Sequence, residues 1–147
     1  MSKQIVKTII LILILLCIVT MYYYVSERVR REKYISTRET LTAKEVLENH
    51  FKFLKCKDEE LVKMTLSNRH QNVVFNDKSE YEVVDIEITP NDELTFDYLH
   101  GIDVSEIISY NVNMVNLHNS DVYAMRYVLC KEHKDSPWLI YAWGVDF

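Results

Sequence analysis

The sequence predicts an α+β domain behind one transmembrane helix: helices packed on a curved antiparallel sheet of about four strands. Three observations predict it. An uncharged apolar run lies near the start, helical periodicity follows it, and period-two alternation fills most of the C-terminal half.

The apolar run is Ile9 to Val25, 17 residues in which only Thr20 and the rings of Tyr22, Tyr23 and Tyr24 carry a polar side-chain group. As a helix it spans roughly 26 Å, close to the ~30 Å hydrocarbon core of a bilayer. Lys7 precedes it and can snorkel. A cleaved signal peptide needs small residues before its cleavage site. Met21-Tyr22-Tyr23-Tyr24-Val25-Ser26 offers bulky tyrosines instead. Leu15 and Leu16 before Cys17 are likewise a poor fit to a lipid-attachment site. The run therefore reads as an uncleaved anchor, with the tyrosines at headgroup level. The expected organisation is a cytoplasmic start at 1–8, the anchor at 9–25, a charged connector at 26–41 and a domain at 42–147.

Charge divides unevenly along the chain. Residues 1–41 hold seven Lys/Arg against three Asp/Glu, net +4, and residues 42–147 hold ten against 19, net −9. An acidic domain repels phosphates, so nucleic acid is not an expected partner. Arg28, Arg30, Arg31 and Lys33 compete with Lys3 and Lys7 as the cytoplasmic flank, and alone they slightly favour a cytoplasmic C-terminal part. The patch itself reads as a solvated juxtamembrane helix that can also attract anionic headgroups.

Thr42-Ala43-Lys44-Glu45 is a capping-box pattern, and Val46, Leu47, Phe51 and Leu54 follow on one helical stripe. This predicts a helix from about Ala43 to Lys55. Asp58, with Glu59 and Glu60 behind it, caps a second and shorter helix carrying Leu61, Val62, Met64 and Leu66. Ser67 to Lys78 is polar, with a Val73-Val74-Phe75 island.

From Tyr81 to Thr89 the period becomes two, with Val84, Ile86 and Ile88 on the expected inner face. Pro90-Asn91-Asp92 breaks the strand, and Glu93 to His100 suits one or two helical turns ended by Gly101. Glu106 to Leu117 alternates with Ile108, Tyr110, Val112 and Met114 on one face. Val115 and Leu117 shift the phase, which predicts a β-bulge near Met114. Val122 to Glu132 places Tyr123, Met125, Tyr127 and Leu129 on one face, and Trp138 to Trp143 forms a short aromatic strand. The short turns between these runs predict antiparallel neighbours.

The closing run Ser136-Pro137-Trp138-Leu139-Ile140-Tyr141-Ala142-Trp143-Gly144-Val145, the opening helix Thr42 to Lys57 and the strand Tyr81 to Ile88 resemble a bacterial family. It is a domain-of-unknown-function family of low-GC Gram-positive bacteria, placed in the nuclear-transport-factor-two-like, cystatin-like superfamily. The resemblance covers about residues 42–147. Ala142 stands where that family usually has an acidic residue. The resemblance implies a cone-like sheet around helices with a pocket, and export behind a signal or anchor, hence an extracytoplasmic domain. It implies no reaction, and fold alone does not supply one.

Common catalytic motifs are missing from the sequence. Two glycines, Gly101 and Gly144, cannot build a phosphate-cradling loop, and neither His-Glu-x-x-His nor Gly-x-Ser-x-Gly occurs. No cofactor is expected. The best enzyme constellation is His50 on the helix margin, Tyr110 and Tyr127 on inner strand faces and Asp103 at the rim. The plainer account, a partly buried core histidine and core tyrosines, takes precedence. Asp92, Glu93 and Asp97 lack the ordered carboxylates and glycine of a calcium loop and read as a solvated helix start. Cys56 and Cys130 could pair if oxidised, but read as separate thiols.

The leading expectation is thus a membrane-anchored extracytoplasmic domain, not an enzyme, that binds a peptide, a protein or a small apolar ligand. A cone-pocket isomerase or hydrolase acting on a small hydrophobic molecule is the alternative from another class. A structural subunit of a membrane assembly is the third.

Overall fold

A computed structural model of the chain describes residues 3–70, 72, 81–89 and 104–144. The expected Val73-Val74-Phe75 island, the break at Pro90, the turns of Glu93 to His100 with Gly101, the acidic cluster Asp92, Glu93 and Asp97, and Asp103 all lie outside the described residues.

The chain divides into two compact units, 1–37 and 38–147. The first contains a single helix, α1 (Lys3–Thr37), of 35 residues. The apolar run and the charged residues after it share that helix without a break. Arg28 Nε donates to Glu32 Oε1 at 2.8 Å, and Arg31 lies 3.5 Å from Glu27, so the charges pair one turn apart along the helix. Leu11, Leu15, Met21 and Tyr22 to Tyr24 are all exposed on it. Among the described residues α1 alone is long and apolar enough to cross a membrane, a test that a signal sequence near an N-terminus also meets.

The second unit opens with α2 (Ala43–Lys55) and α3 (Glu59–Met64). The capping box forms as read. Glu45 N–H donates to Thr42 Oγ1 at 3.3 Å, and Thr42 N–H donates to Glu45 Oε2 at 2.8 Å. The far end of α2 closes in a Schellman arrangement. Lys57 N–H reaches Leu54 O, Asp58 N–H reaches Phe53 O, and Lys57 adopts φ 57°. Asp58 then caps α3, accepting from Leu61 N–H at 3.3 Å.

Four strands follow: β1 (Tyr81–Thr89), β2 (Glu106–Asn116), β3 (Val122–Lys131) and β4 (Leu139–Gly144), antiparallel and in sequence order. Helices followed by an open antiparallel sheet make the α+β class that the sequence predicts. Ala43, Val46 and Leu47 of α2 join Tyr110, Val112, Met114, Tyr127, Leu129 and Ile140 of the sheet in one core. Phe53, which the single stripe did not include, is 2 % exposed on a helix that also packs against α3.

Two irregularities correct the expected registers. The bulge foreseen in β2 lies in its neighbour. Val83 pairs with Met114 and Asp85 with Asn113, so Val84 is the extra residue, while β2 against β3 is continuous from Glu106 to Val115. The added residue reverses the parity of β1 at that point. Val83 and Ile86 therefore pack on the core, and Val84, expected inside, is exposed. Ile88 is exposed too, although Tyr110 opposite it is buried. A second bulge falls at Tyr141, between the Val128–Ala142 and Leu129–Ile140 pairs, and leaves Ile140 and Tyr141 both buried.

Candidate functional site

His50, Tyr110 and Tyr127, three of the four sequence-predicted residues, are buried in the core. Tyr110 and Tyr127 face each other across β2 and β3 in register and are 3 % and 1 % exposed. The His50 ring lies 6.3 Å from that of Tyr127, and Phe51 sits edge-on to both. His50 is itself buried, and its Nδ1 lies 2.7 Å from Thr65 Oγ1. The Thr65 hydroxyl spends its one hydrogen on Val62 O at 2.6 Å. It can only accept from His50, so the imidazole carries its proton on Nδ1.

That arrangement tethers α2 to the end of α3. Burial drives the Tyr127 phenol far above its usual range, and its hydroxyl contacts the Met125 sulfur at 3.9 Å. Burial also raises Tyr110, with the Lys44 backbone pulling the other way and the Glu48 charge adding to the rise. Both phenols are thus held neutral, and such well-covered rings present little surface to a substrate. Asp103, the carboxylate that the sequence predicts at the rim, lies outside the described residues. Cys56 and Cys130 are free thiols, and among the described residues no group of His, Cys, Asp and Glu is placed to hold a metal ion.

Sequence reasoning missed three features. The first is a cleft of about 250 Å3 between the last turns of α2 and the hairpin end of the sheet. Phe51, Leu54, Val83 and Met114 give it an apolar lining, and Lys52, Lys55 and Glu82 add charge. The bulge at Val84 helps to build it by turning Val83 inward, and no local sequence signal marks that residue as the extra one. The second is a seal on the outer border of β4. Leu66 forms a parallel bridge with Ile140, Ile140 N–H reaches Thr65 O, and Ser67 N–H reaches Ile140 O. His70 Nε2–H donates to the bulged Tyr141 O at 2.6 Å, with its ring 4.8 Å from that of Trp143, and Arg69 donates to the Tyr141 hydroxyl at 2.8 Å.

The third is a pair of buried hydroxyls, Thr89 and Ser109, opposite each other in β1 and β2 and lacking hydrogen-bond partners among the described residues. Each such group costs about 1–3 kcal/mol.

A family model matches residues 44–144, and its description is a domain of unknown function, DUF4829. The chain belongs to the DUF4829 family. The match starts one residue into α2 and ends with β4, so the family domain coincides with the α2–β4 body and leaves α1 outside. No curated protein and no solved structure matches the chain. Within the DUF4829 domain the cleft is therefore framed entirely by elements of the family itself.

Proposed function

We propose that this chain is a membrane-tethered binding domain: α1 stays in the bilayer, the DUF4829 domain lies outside the cytoplasm, and its task is recognition, not catalysis. The cleft between α2 and β1 carries this reading. It is apolar inside, charged at its rim and, at about 250 Å3, smaller than the ~300–1,000 Å3 typical of sites that enclose a whole small ligand. A cleft of that size suits one large apolar side chain of a protein or peptide partner, the usual form of an interface anchor.

The titratable groups support the same reading. His50 and Tyr127, the strongest catalytic candidates, are committed to packing and to the α2–α3 tie. The helices-then-meander order agrees with a cystatin-like kinship, which we include in the proposal. The tyrosines at 22–24 and the 35-residue helix agree with a lasting anchor.

Two measurements test the proposal on the full chain. Protease added to intact cells should degrade the C-terminal domain; degradation only after lysis would overturn the outward placement. In nanodiscs, N-acetyl-tryptophanamide should cause saturable NMR shifts at Phe51, Leu54, Val83 and Met114, and Val83→Phe, which fills the cleft, should abolish them. Shifts that map elsewhere, or that survive the substitution, would overturn the binding site.

A further inference from the structure

We infer that β1 is a docking edge for an extended, basic segment of a partner protein, which joins the sheet as a fifth strand and seats an apolar side chain in the adjoining cleft. The inference rests on the binding reading above and names the surface and the partner's chemistry.

The sheet has two borders, and the structure treats them differently. On the β4 side, backbone groups at Ile140 and Tyr141 are taken by Thr65, Ser67 and His70. On the β1 side, no strand among the described residues pairs with the outer edge. There the Ile86 N–H donates to its own neighbour, Asp85 Oδ1, at 2.8 Å. A side-chain carboxylate thus serves a donor that an added strand would meet with a backbone carbonyl. Unpaired among the described residues, this edge of nine residues is ample for strand addition.

The side chains of β1 specify the visitor. After the bulge, Ile86 and Ile88 fall on the helix-bearing face, and Ile88 is 66 % exposed. Asp85 and Glu87 alternate with them on the opposite face, and both are exposed. The matching strand carries apolar residues toward α2 and cationic ones on the other side, because opposite charges across a strand pair attract. Val83 and Glu82 belong both to β1 and to the cleft wall, so an added strand runs past the cleft mouth.

Charge also excludes the simplest alternative occupant. A second copy docking through its own β1 would set Asp85 and Glu87 against the same carboxylates, and like charges on adjacent strands destabilise the pair. The basic run Arg28 to Lys33 of this chain is committed to α1. The occupant is therefore a basic, extended segment of another protein.

The test uses the full chain in nanodiscs and three nine-residue synthetic peptides: alternating Lys and Val, the same composition in two blocks, and alternating Glu and Val. The alternating Lys/Val peptide should bind at least ~10-fold more tightly than the blocked one and should slow amide exchange in β1 while leaving β4 unchanged. Asp85→Lys with Glu87→Lys should weaken that peptide by about 10-fold and favour the Glu/Val peptide instead. Equal binding of alternating and blocked peptides, protection elsewhere than β1, or indifference to the charge reversal would overturn the inference. If the alternating peptide fails while N-acetyl-tryptophanamide still saturates the cleft, the inference falls and the broader binding reading stands. If the peptide protects β1 and the cleft probe fails, the edge stands and the cleft assignment falls.

Discussion

His50 Nδ1 donates to Thr65 Oγ1 across 2.7 Å, and Thr65 in turn donates to Val62 O. Three groups from α2 and α3 thereby form one directed chain in a place where neither ring nor hydroxyl is exposed. Thr65→Val keeps the shape and removes the acceptor. It should cost about 1–3 kcal/mol in urea unfolding, the usual penalty for stranding a buried donor. Combined with His50→Phe, the loss should be smaller than the two single losses added together, because both residues serve one interaction.

The capping box makes a prediction at acid pH. The Glu45 carboxyl is held below its ordinary value of 4.5, first by the Thr42 backbone N–H and then by the Thr42 side chain. A depressed folded pKa means that the ionised form is favoured by folding. Its contribution is present above the unfolded value and fades as pH falls through the folded one. Glu45→Gln should therefore flatten the acid side of the stability profile below about pH 4.5. Thr42→Ala should cost about 1 kcal/mol at neutral pH through the lost N-cap.

Lys57 occupies a left-handed position, φ 57°, that glycine fills without steric penalty. Its backbone makes the Schellman bond to Leu54 O, and the substitution leaves that bond in place. Lys57→Gly should raise stability by about 1 kcal/mol, read as a higher urea midpoint with an unchanged slope.

The two domain thiols should behave differently. Cys130 is 1 % exposed, and burial, helped by the Glu132 charge, pushes its thiol from 9.0 up to about 11. Cys56 is partly exposed. At pH 8 a maleimide should label Cys56 quickly and reach Cys130 only on unfolding. Because the folded value is raised, the Cys130 contribution to stability is complete below the unfolded pKa and is lost as pH rises from about 9 to about 11. Cys130→Ala should reduce that alkaline loss.

Much of the architecture was legible because local chemistry marked it. Thr42 and Glu45 located the start of α2, Asp58 the start of α3, and the alternation of Tyr81 to Thr89 located β1. The break in phase at Val115 revealed that the sheet was irregular near Met114. It did not reveal which of two paired strands carried the extra residue, because a bulge is a property of the pair. Val84 consequently lies on the face opposite to the one that the alternation predicts. Phe53 escaped notice because α2 buries more than one face and a single-stripe reading follows only one.

The site was less legible for a related reason. His50 was singled out as a titratable group on a helix margin, yet its partner Thr65 lies 15 residues on, with no pattern linking them. The cleft depends on three elements, the end of α2, the bulged start of β1 and the end of β2, whose meeting is a tertiary fact. Composition shows a domain of net charge −9, but it does not show where the carboxylates of β1 align.

The seal at Ile140 and Tyr141 has a consequence for proteostasis. Fibrils propagate when every added molecule restores a fresh template at the opposite end of its sheet. Here one flank is already closed by the molecule's own backbone, so a strand captured at the other flank ends the series instead of seeding it. Loosening residues 65–70 should remove that stop and leave the domain prone to cross-β growth.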